Sequence, residues 1–270
     1  MKLIDRIASD EVLEQALQRM CEKRAHHHFN SDVWQVRRWW QEKKLRIQQL
    51  LRAGSYQFRE LRLFWGEDER VEYWSSLGAL VLKAMAIVLT EHLQPHLSPR
   101  CFHLAGTGGM KAAVREVARN LPQHEFVFRT DVKGYYASIN HQILMEIVGR
   151  YVQDEAVLAL LWGYLRPYLS DGGKFIDITQ GISLGCPLSP LMGALFLKPL
   201  DDKCLRKIIC VIASEMKCSE AISKPLRLLR FASLRDAPLA MTNIYLILHD
   251  YLKWLNWAVF TSVIWMIGSS

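Results

Sequence analysis

No CxxC pair, no Cys/His spacing of a zinc site, no internal repeat and no low-complexity tract occurs in the 270 residues. The six cysteines (Cys21, Cys101, Cys186, Cys204, Cys210 and Cys218) lie scattered, which fits reduced thiols of a cytoplasmic protein rather than a disulfide framework. The opening stretch MKLIDRIASD carries Asp5 and Asp10 and lacks the apolar run of a signal peptide. The apolar stretch Leu255 to Gly268 is 14 residues long, short of the roughly 20 needed to cross a bilayer, so no membrane is expected. The three histidines His26, His27 and His28 fall in a charged helical pattern and read as a solvated face rather than a metal site.

What is present is apolar mass and positive charge. Half of the residues are hydrophobic, enough for a sizeable core, and the length suits one large domain or two small ones. The net charge is +7 and the pI about 9.1, a general pointer to nucleic acid or an anionic surface. Residues 4–52 read as helices, with Gly54 as a C-terminal cap. Within them Trp34, Trp39 and Trp40 alternate with Arg37, Arg38, Lys43, Lys44 and Arg46. Two readings fit that interleaving: a nucleic-acid surface with stacking side chains, or an amphipathic helix whose tryptophans are core.

SYQFRELRLFWGEDERVEYW alternates apolar and polar residues about a turn and reads as a β-hairpin. LGALVLKAMAIVLTEHLQPHL, bounded by Pro95 and Pro99, reads as a buried helix. In HLAGTGGMKAAVREVARNL a glycine-rich loop opens a helix, and its N–H groups and Lys111 suit phosphate binding. EFVFRTDV is a strand, NHQILMEIVGRYV and EAVLALLWGYLRPYL are helices, DGGKFIDITQG is a turn and strand, and CPLSPLMGALFLKPLDDK is a helix. This mixture indicates an α/β or α+β class.

Asp131 ends the apolar strand EFVFRT, and the chain then turns into SINHQ, where Ser138 or Asn140 is placed to cap the next helix. Read alone, Asp131 is either a turn residue or a carboxylate placed to hold Mg²⁺. A second stretch bears on the choice. QGISLGCPLSPLMGALFL (Gln180 to Leu197) resembles the QG-x-P-L-G-x-P-L-S-P-x-L-A-N-L-x-L block of group II intron-like bacterial reverse transcriptases. It departs at Ser183, where that family has Pro, and at Gly193–Ala194, where it has Ala-Asn. RTDVKGYYASI resembles the first catalytic block of the same family, an Asp followed five residues on by an aromatic. The resemblance covers roughly residues 30–203.

The resemblance implies an α+β right-hand polymerase fold, with fingers, an incomplete palm and no thumb, that performs RNA-directed DNA synthesis with Mg²⁺. Its partners would be an RNA template, a DNA primer and deoxynucleoside triphosphates. It makes Asp131 a metal ligand, joined by the Val132 carbonyl. It makes Tyr136 the aromatic against the nucleotide sugar, and sets Gln180 and Gly181 against the incoming nucleotide and template. Arg37, Arg38, Lys43, Lys44 and Lys111 become the candidate nucleic-acid contacts.

The family also needs a Tyr-X-Asp-Asp block after residue 197, and none occurs in frame. LDDK (Leu200 to Lys203) ends the preceding helix, and beyond Lys203 the palm and thumb patterns stop. The genetic code bears on this. Ile264-Trp265-Met266-Ile267-Gly268 must be encoded ATH-TGG-ATG-ATH-GGN, and from the third base of each codon this reads NAT-HTG-GAT-GAT-HGG. Two Asp codons are forced. Asn256-Trp257-Ala258 forces Leu-Gly in the same frame, and Phe260-Thr261 forces Tyr or His. The shifted frame thus permits Leu-Gly-x-Phe-Tyr-x-x-Tyr-Met-Asp-Asp-Trp, the reading of the family's catalytic hairpin.

The expectation is therefore a reverse transcriptase fingers and partial palm over residues 1–203, and an out-of-frame or inserted segment over 204–270. A chain of that kind lacks the partner carboxylates of Asp131 and is expected to be inactive. Two other readings stand beside it: a non-catalytic RNA-binding remnant, and a non-functional product.

Overall fold

The computed structural model describes residues 2–59, 61–65, 70–123, 126–132, 134–171, 174–205, 209–211 and 260–267. The chain divides into two compact units, residues 1–96 with 136–195, and residues 97–135 with 196–270.

The first unit starts with helices α1 (Leu3–Ile7), α2 (Asp10–Lys23), α3 (Asp32–Arg38) and α4 (Trp40–Arg52). Ser9 caps α2 by accepting from the Val12 N–H at 3.4 Å. At the end of α4 the Gly54 N–H bonds the Leu51 carbonyl and the Ser55 N–H the Leu50 carbonyl. These two bonds form the glycine-ended cap expected at Gly54. The strands β1 (Leu61–Trp65) and β2 (Arg70–Tyr73) follow as an antiparallel pair with Arg62 opposite Tyr73. Helix α5 (Ser76–Leu93) is mostly apolar, and Leu80, Val81, Met85, Val88, Leu89 and Leu93 are buried. It is the one helix among the described residues long and apolar enough to cross a membrane. More than half of it is buried, and α1, α2 and α3 pack against it, as befits a core helix.

The start of α5 is held by a polar clamp. Asp32 accepts from the Ser76 N–H and hydroxyl, both at 2.6 Å, and Arg24 donates to the Trp74 carbonyl at 3.0 Å. The second segment of this unit contains most of α7 (Tyr135–Ser138), then α8 (His141–Gly149), α9 (Glu155–Leu165), β4 (Tyr168–Asp171) and β5 (Lys174–Asp177). Asn140, one of the two expected caps, accepts from the Ile143 N–H at 3.1 Å. Strand β4 pairs parallel with β1 and antiparallel with β5, giving a four-stranded sheet in the order β2-β1-β4-β5.

The helix expected to run on through RPYL stops at Leu165 instead. Arg166 sits at φ −119°, ψ 55°, because Pro167 disfavours helical geometry in the residue before it and has no N–H to donate. Tyr168 then opens a strand rather than extending the helix.

The second unit contains α6 (Gly109–Asn120), β3 (Phe126–Val132), the later part of α10 (Ser189–Leu205), β6 (Ile209–Val211) and β7 (Phe260–Ile267). Its sheet is antiparallel, in the order β3-β7-β6. Most of the segment expected to be out of frame, 204–270, lies outside the described residues. Within it, β6 and β7 are the described strands.

Candidate nucleotide and nucleic-acid site

The residues carried over from the reverse transcriptase blocks fall in both units. Tyr136, Gln180 and Gly181 belong to the first, Asp131 and Val132 to the second.

In the first unit the QG segment is bound to the turn after Tyr136 by main-chain bonds. The Gly181 N–H donates to the Ile139 carbonyl and the Ile182 N–H to the Tyr136 carbonyl, both at 2.8 Å. Asn140 and Gln180 form an antiparallel bridge. Gly181 lies at φ +89°, and a Cβ there would meet the Ala137 carbonyl oxygen at 2.9 Å. The close approach that requires glycine is thus that of Ala137. Gln180 stays exposed, its amide 3.4 Å from the Ala137 carbonyl, and Tyr136 is half-buried.

Two buried supports of this segment escaped sequence reading. His141, 1% exposed, bonds through Nε2 to the Gly181 carbonyl at 2.6 Å. Burial lowers its pKa below the usual histidine value, so the neutral ring donates Nε2–H. The second support explains the departure at Ser183. Its hydroxyl accepts from Trp74 Nε1 at 3.0 Å, and its carbonyl accepts from the Ser189 hydroxyl at 2.6 Å. Ser189 also bonds the buried Tyr164 hydroxyl at 2.8 Å. Proline at 183 would leave the buried Trp74 indole N–H unpartnered. A single sequence holds no signal for this pairing, because Trp74 and Ser183 are 109 positions apart.

In the second unit Asp131 is the next-to-last residue of β3, and the ladder with β7 shifts register between Asp131 and Val132. Its opposite residue on β7 is Ser262. The strands FVFRTDV, ICV and FTSVIWMI contain one acid, Asp131. Asp201 and Asp202 lie near the end of α10. Burial, reinforced by the neighbouring Asp202 charge and partly opposed by Lys198, pushes the Asp201 carboxyl up to about 8. Lys111 is exposed in the first turn of α6, which no side chain caps. Among the described residues, no group of three or more His, Cys, Asp or Glu side chains is placed to hold a metal ion.

The tryptophan-rich helices divide the two readings between them. Trp40 is core, 6% exposed, and donates to Glu14 Oε1 at 2.8 Å. Trp39 stands half exposed at the break between α3 and α4. Lys44 is tied to Asp10 at 2.8 Å and Glu14 at 3.0 Å, whereas Arg37 and Arg38 are exposed and Lys43 half-buried.

Comparisons with known proteins agree with the resemblance to reverse transcriptases. The chain is similar to group II intron-like reverse transcriptases. It is 21% identical over 167 residues to the group II intron-encoded protein LtrA of Lactococcus lactis subsp. cremoris, which covers 60% of this chain and 28% of LtrA. It is 29% identical over 77 residues to protein YkfC of Escherichia coli K12, covering 28% of this chain and 20% of YkfC. Among solved structures, a chain of the partial Cas6-RT-Cas1–Cas2 complex superposes with a TM-score of 0.54 at 20% identity, over 77% of this chain and 36% of that one. A chain of the Cas6-RT-Cas1–Cas2 complex gives the same score over 23% of its length. No family model matches the chain. The chain thus spans less than a third of either curated relative, and the structural likeness, at this identity, concerns the fold alone.

Proposed function

We propose that this chain is the fingers and partial palm of a right-hand polymerase of the reverse transcriptase lineage, retaining contacts for RNA but not the means to polymerise. The observation that carries the first half is the QG segment. Gln180 to Ile182 is bonded into register with Tyr136 to Asn140, which draws together the residues that the resemblance assigns to the nucleotide. In that reading Tyr136 lies against the sugar of a deoxynucleoside triphosphate, and Gln180 contacts base or template. In the same reading the chain binds an RNA template in the cytoplasm, and a DNA primer is the partner that an active member of the lineage would extend on it.

The second half rests on the donor set. Phosphoryl transfer to a primer hydroxyl calls for two metal ions, held by several carboxylates beside a polyanionic triphosphate. Asp131 and the Val132 carbonyl are the two donors that the resemblance supplies, and the neighbouring strands β7 and β6 add no acid. Among the described residues such a set does not fit two Mg²⁺ ions. In the shifted reading frame, the codons for Trp265 to Ile267 would encode the missing Asp-Asp pair.

The test is primer extension by the purified chain with Mg²⁺, beside an Asp131→Ala control. The expected outcome is no extension above that control. Extension that Asp131→Ala abolishes would show that an acid outside β3, β6 and β7 completes the site. The DNA encoding residues 250–270 gives an independent check. Read from the third codon position, it is expected to contain Tyr-Met-Asp-Asp followed by an open frame.

A further inference from the structure

The charged and aromatic residues at the junction of α3 and α4 sort into a buried and an open set. Trp39 links the two helices at φ −104°, ψ 29°, and the Lys43 N–H bonds its carbonyl at 3.1 Å, so helical spacing holds from Trp39 onward. Lys43 and Arg46 stand four and seven residues after Trp39, which puts all three along one face of α4. The buried Trp40, Ile47, Gln48 and Leu51 lie on the adjoining face, about a third of a turn round the helix. On the open face the Arg38 guanidinium lies over the Trp39 ring, 5.5 Å from its centroid, and the indole is 50% exposed.

We infer that Trp39 is a stacking platform for a base of single-stranded nucleic acid, with Arg38, Lys43 and Arg46 carrying the adjoining phosphates. The inference deepens the RNA-binding part of the reading above and rests on it.

The guanidinium is attracted to one face of the exposed indole, and a base offers the ring a second π-face with the same tolerance for any sequence. Charge selects the same class of partner. The stretch RRWWQEKKLR holds five cations against one acid, Glu42. Of the five, Lys44 is withdrawn into its ion pairs with Asp10 and Glu14. The cations left on the open side are those that neighbour Trp39 in sequence or on the helix face. An acidic peptide would use the charges but has no need of the indole, which is why a polynucleotide fits better.

The experiment is fluorescence anisotropy of the full chain with short labelled single-stranded RNA and, separately, DNA of mixed sequence, with polyglutamate as competitor. Trp39→Ala is expected to weaken binding of at least one strand about tenfold, and Trp39→Tyr to restore most of it. Lys43→Ala and Arg46→Ala should each flatten the salt dependence by roughly one unit, and Lys44→Ala should leave it unchanged. Trp39 is a surface residue, so circular dichroism should show the same helix content in its variants. If the unmodified chain binds RNA and Trp39→Ala binds it as well, the platform is refuted while the RNA reading survives. Equal losses for Trp39→Ala and Lys44→Ala, or polyglutamate competing as well as RNA, also refute it. If the unmodified chain binds neither strand, both fail.

Discussion

Among the described residues, the fully buried polar side chains of the first unit are neutral, and that of the second is a carboxyl. In the first, the Tyr164 hydroxyl, Ser189, Ser183 and the Trp74 indole form a chain of hydrogen bonds beneath the QG segment, and His141 serves the Gly181 carbonyl. Even the residue that departs from the reverse transcriptase block, Ser183, has a partner. In the second, a carboxyl is buried at Asp201 beside a second acid, and Asp131, the one acid in the described strands of the sheet, is paired in register with Ser262. The difference separates scaffold from chemistry. A hydrogen-bonded loop survives substitution wherever a new partner exists within the fold. A two-metal site has no such tolerance, because each missing carboxylate removes charge that nothing neutral replaces.

The largest expected effect lies in the second unit and depends on pH. Asp201, 3% exposed, keeps its proton in the folded chain up to about 8, against an ordinary value of 3.8. Between those values the unfolded chain has lost this proton and the folded chain has not. The folded state therefore binds more protons, and stability falls as pH rises through that window. The loss is complete above about pH 8 and absent below the unfolded value. It would reach on the order of 5 kcal/mol if the whole shift were expressed. Asp201→Asn should remove the slope, and denaturant melts from pH 4 to 9 would read it. Equal slopes in both chains would mean that the carboxyl finds compensation in the fold.

In the first unit the largest effect belongs to Gly181→Ala. The backbone there is left-handed, and the new Cβ would press on the Ala137 carbonyl at 2.9 Å. The conformational penalty and the overlap together amount to about 3 kcal/mol, read as a lowered midpoint in urea. Ser183→Ala comes next. It leaves the Trp74 N–H buried without its 3.0 Å acceptor, a loss of about 2 kcal/mol. A variant with Trp74→Phe added should recover part of that loss, because the orphaned donor disappears with the indole. Failure to recover would assign the effect to packing around the serine.

Much of this was legible in the sequence, and the reasons differ from one element to the next. The hairpin, the buried α5 and the Asn140 cap each follow from a local pattern, which is why reading them needs no neighbour. Arg166 shows a local rule missed: Pro167 ends α9, and the apolar run through WGYL hid it. Ser183 and His141 show what no local rule reaches. Their partners, Trp74 and Gly181, come from remote sequence, and only the fold brings them within bonding distance. The tryptophans fell between the two cases. Their spacing left both readings open, and packing assigned Trp40 to the core and Trp39 to the surface.

The smallest expected effect isolates what the Gly181 surroundings add. Gly134, three residues after Asp131, also has a positive φ, at +63°, but no atom lies within 4 Å of where its Cβ would stand. Alanine there meets the left-handed penalty without an overlap, and part of that penalty is offset because alanine also restricts the unfolded chain. The net loss for Gly134→Ala should be about 1 kcal/mol, against about 3 for Gly181→Ala. Both substitutions add the same methyl group at a left-handed residue, so the difference in their urea midpoints measures the Ala137 contact. If the two losses match, backbone conformation alone explains the glycine at 181, and the tight union of the QG segment with the Tyr136 turn contributes nothing to its choice.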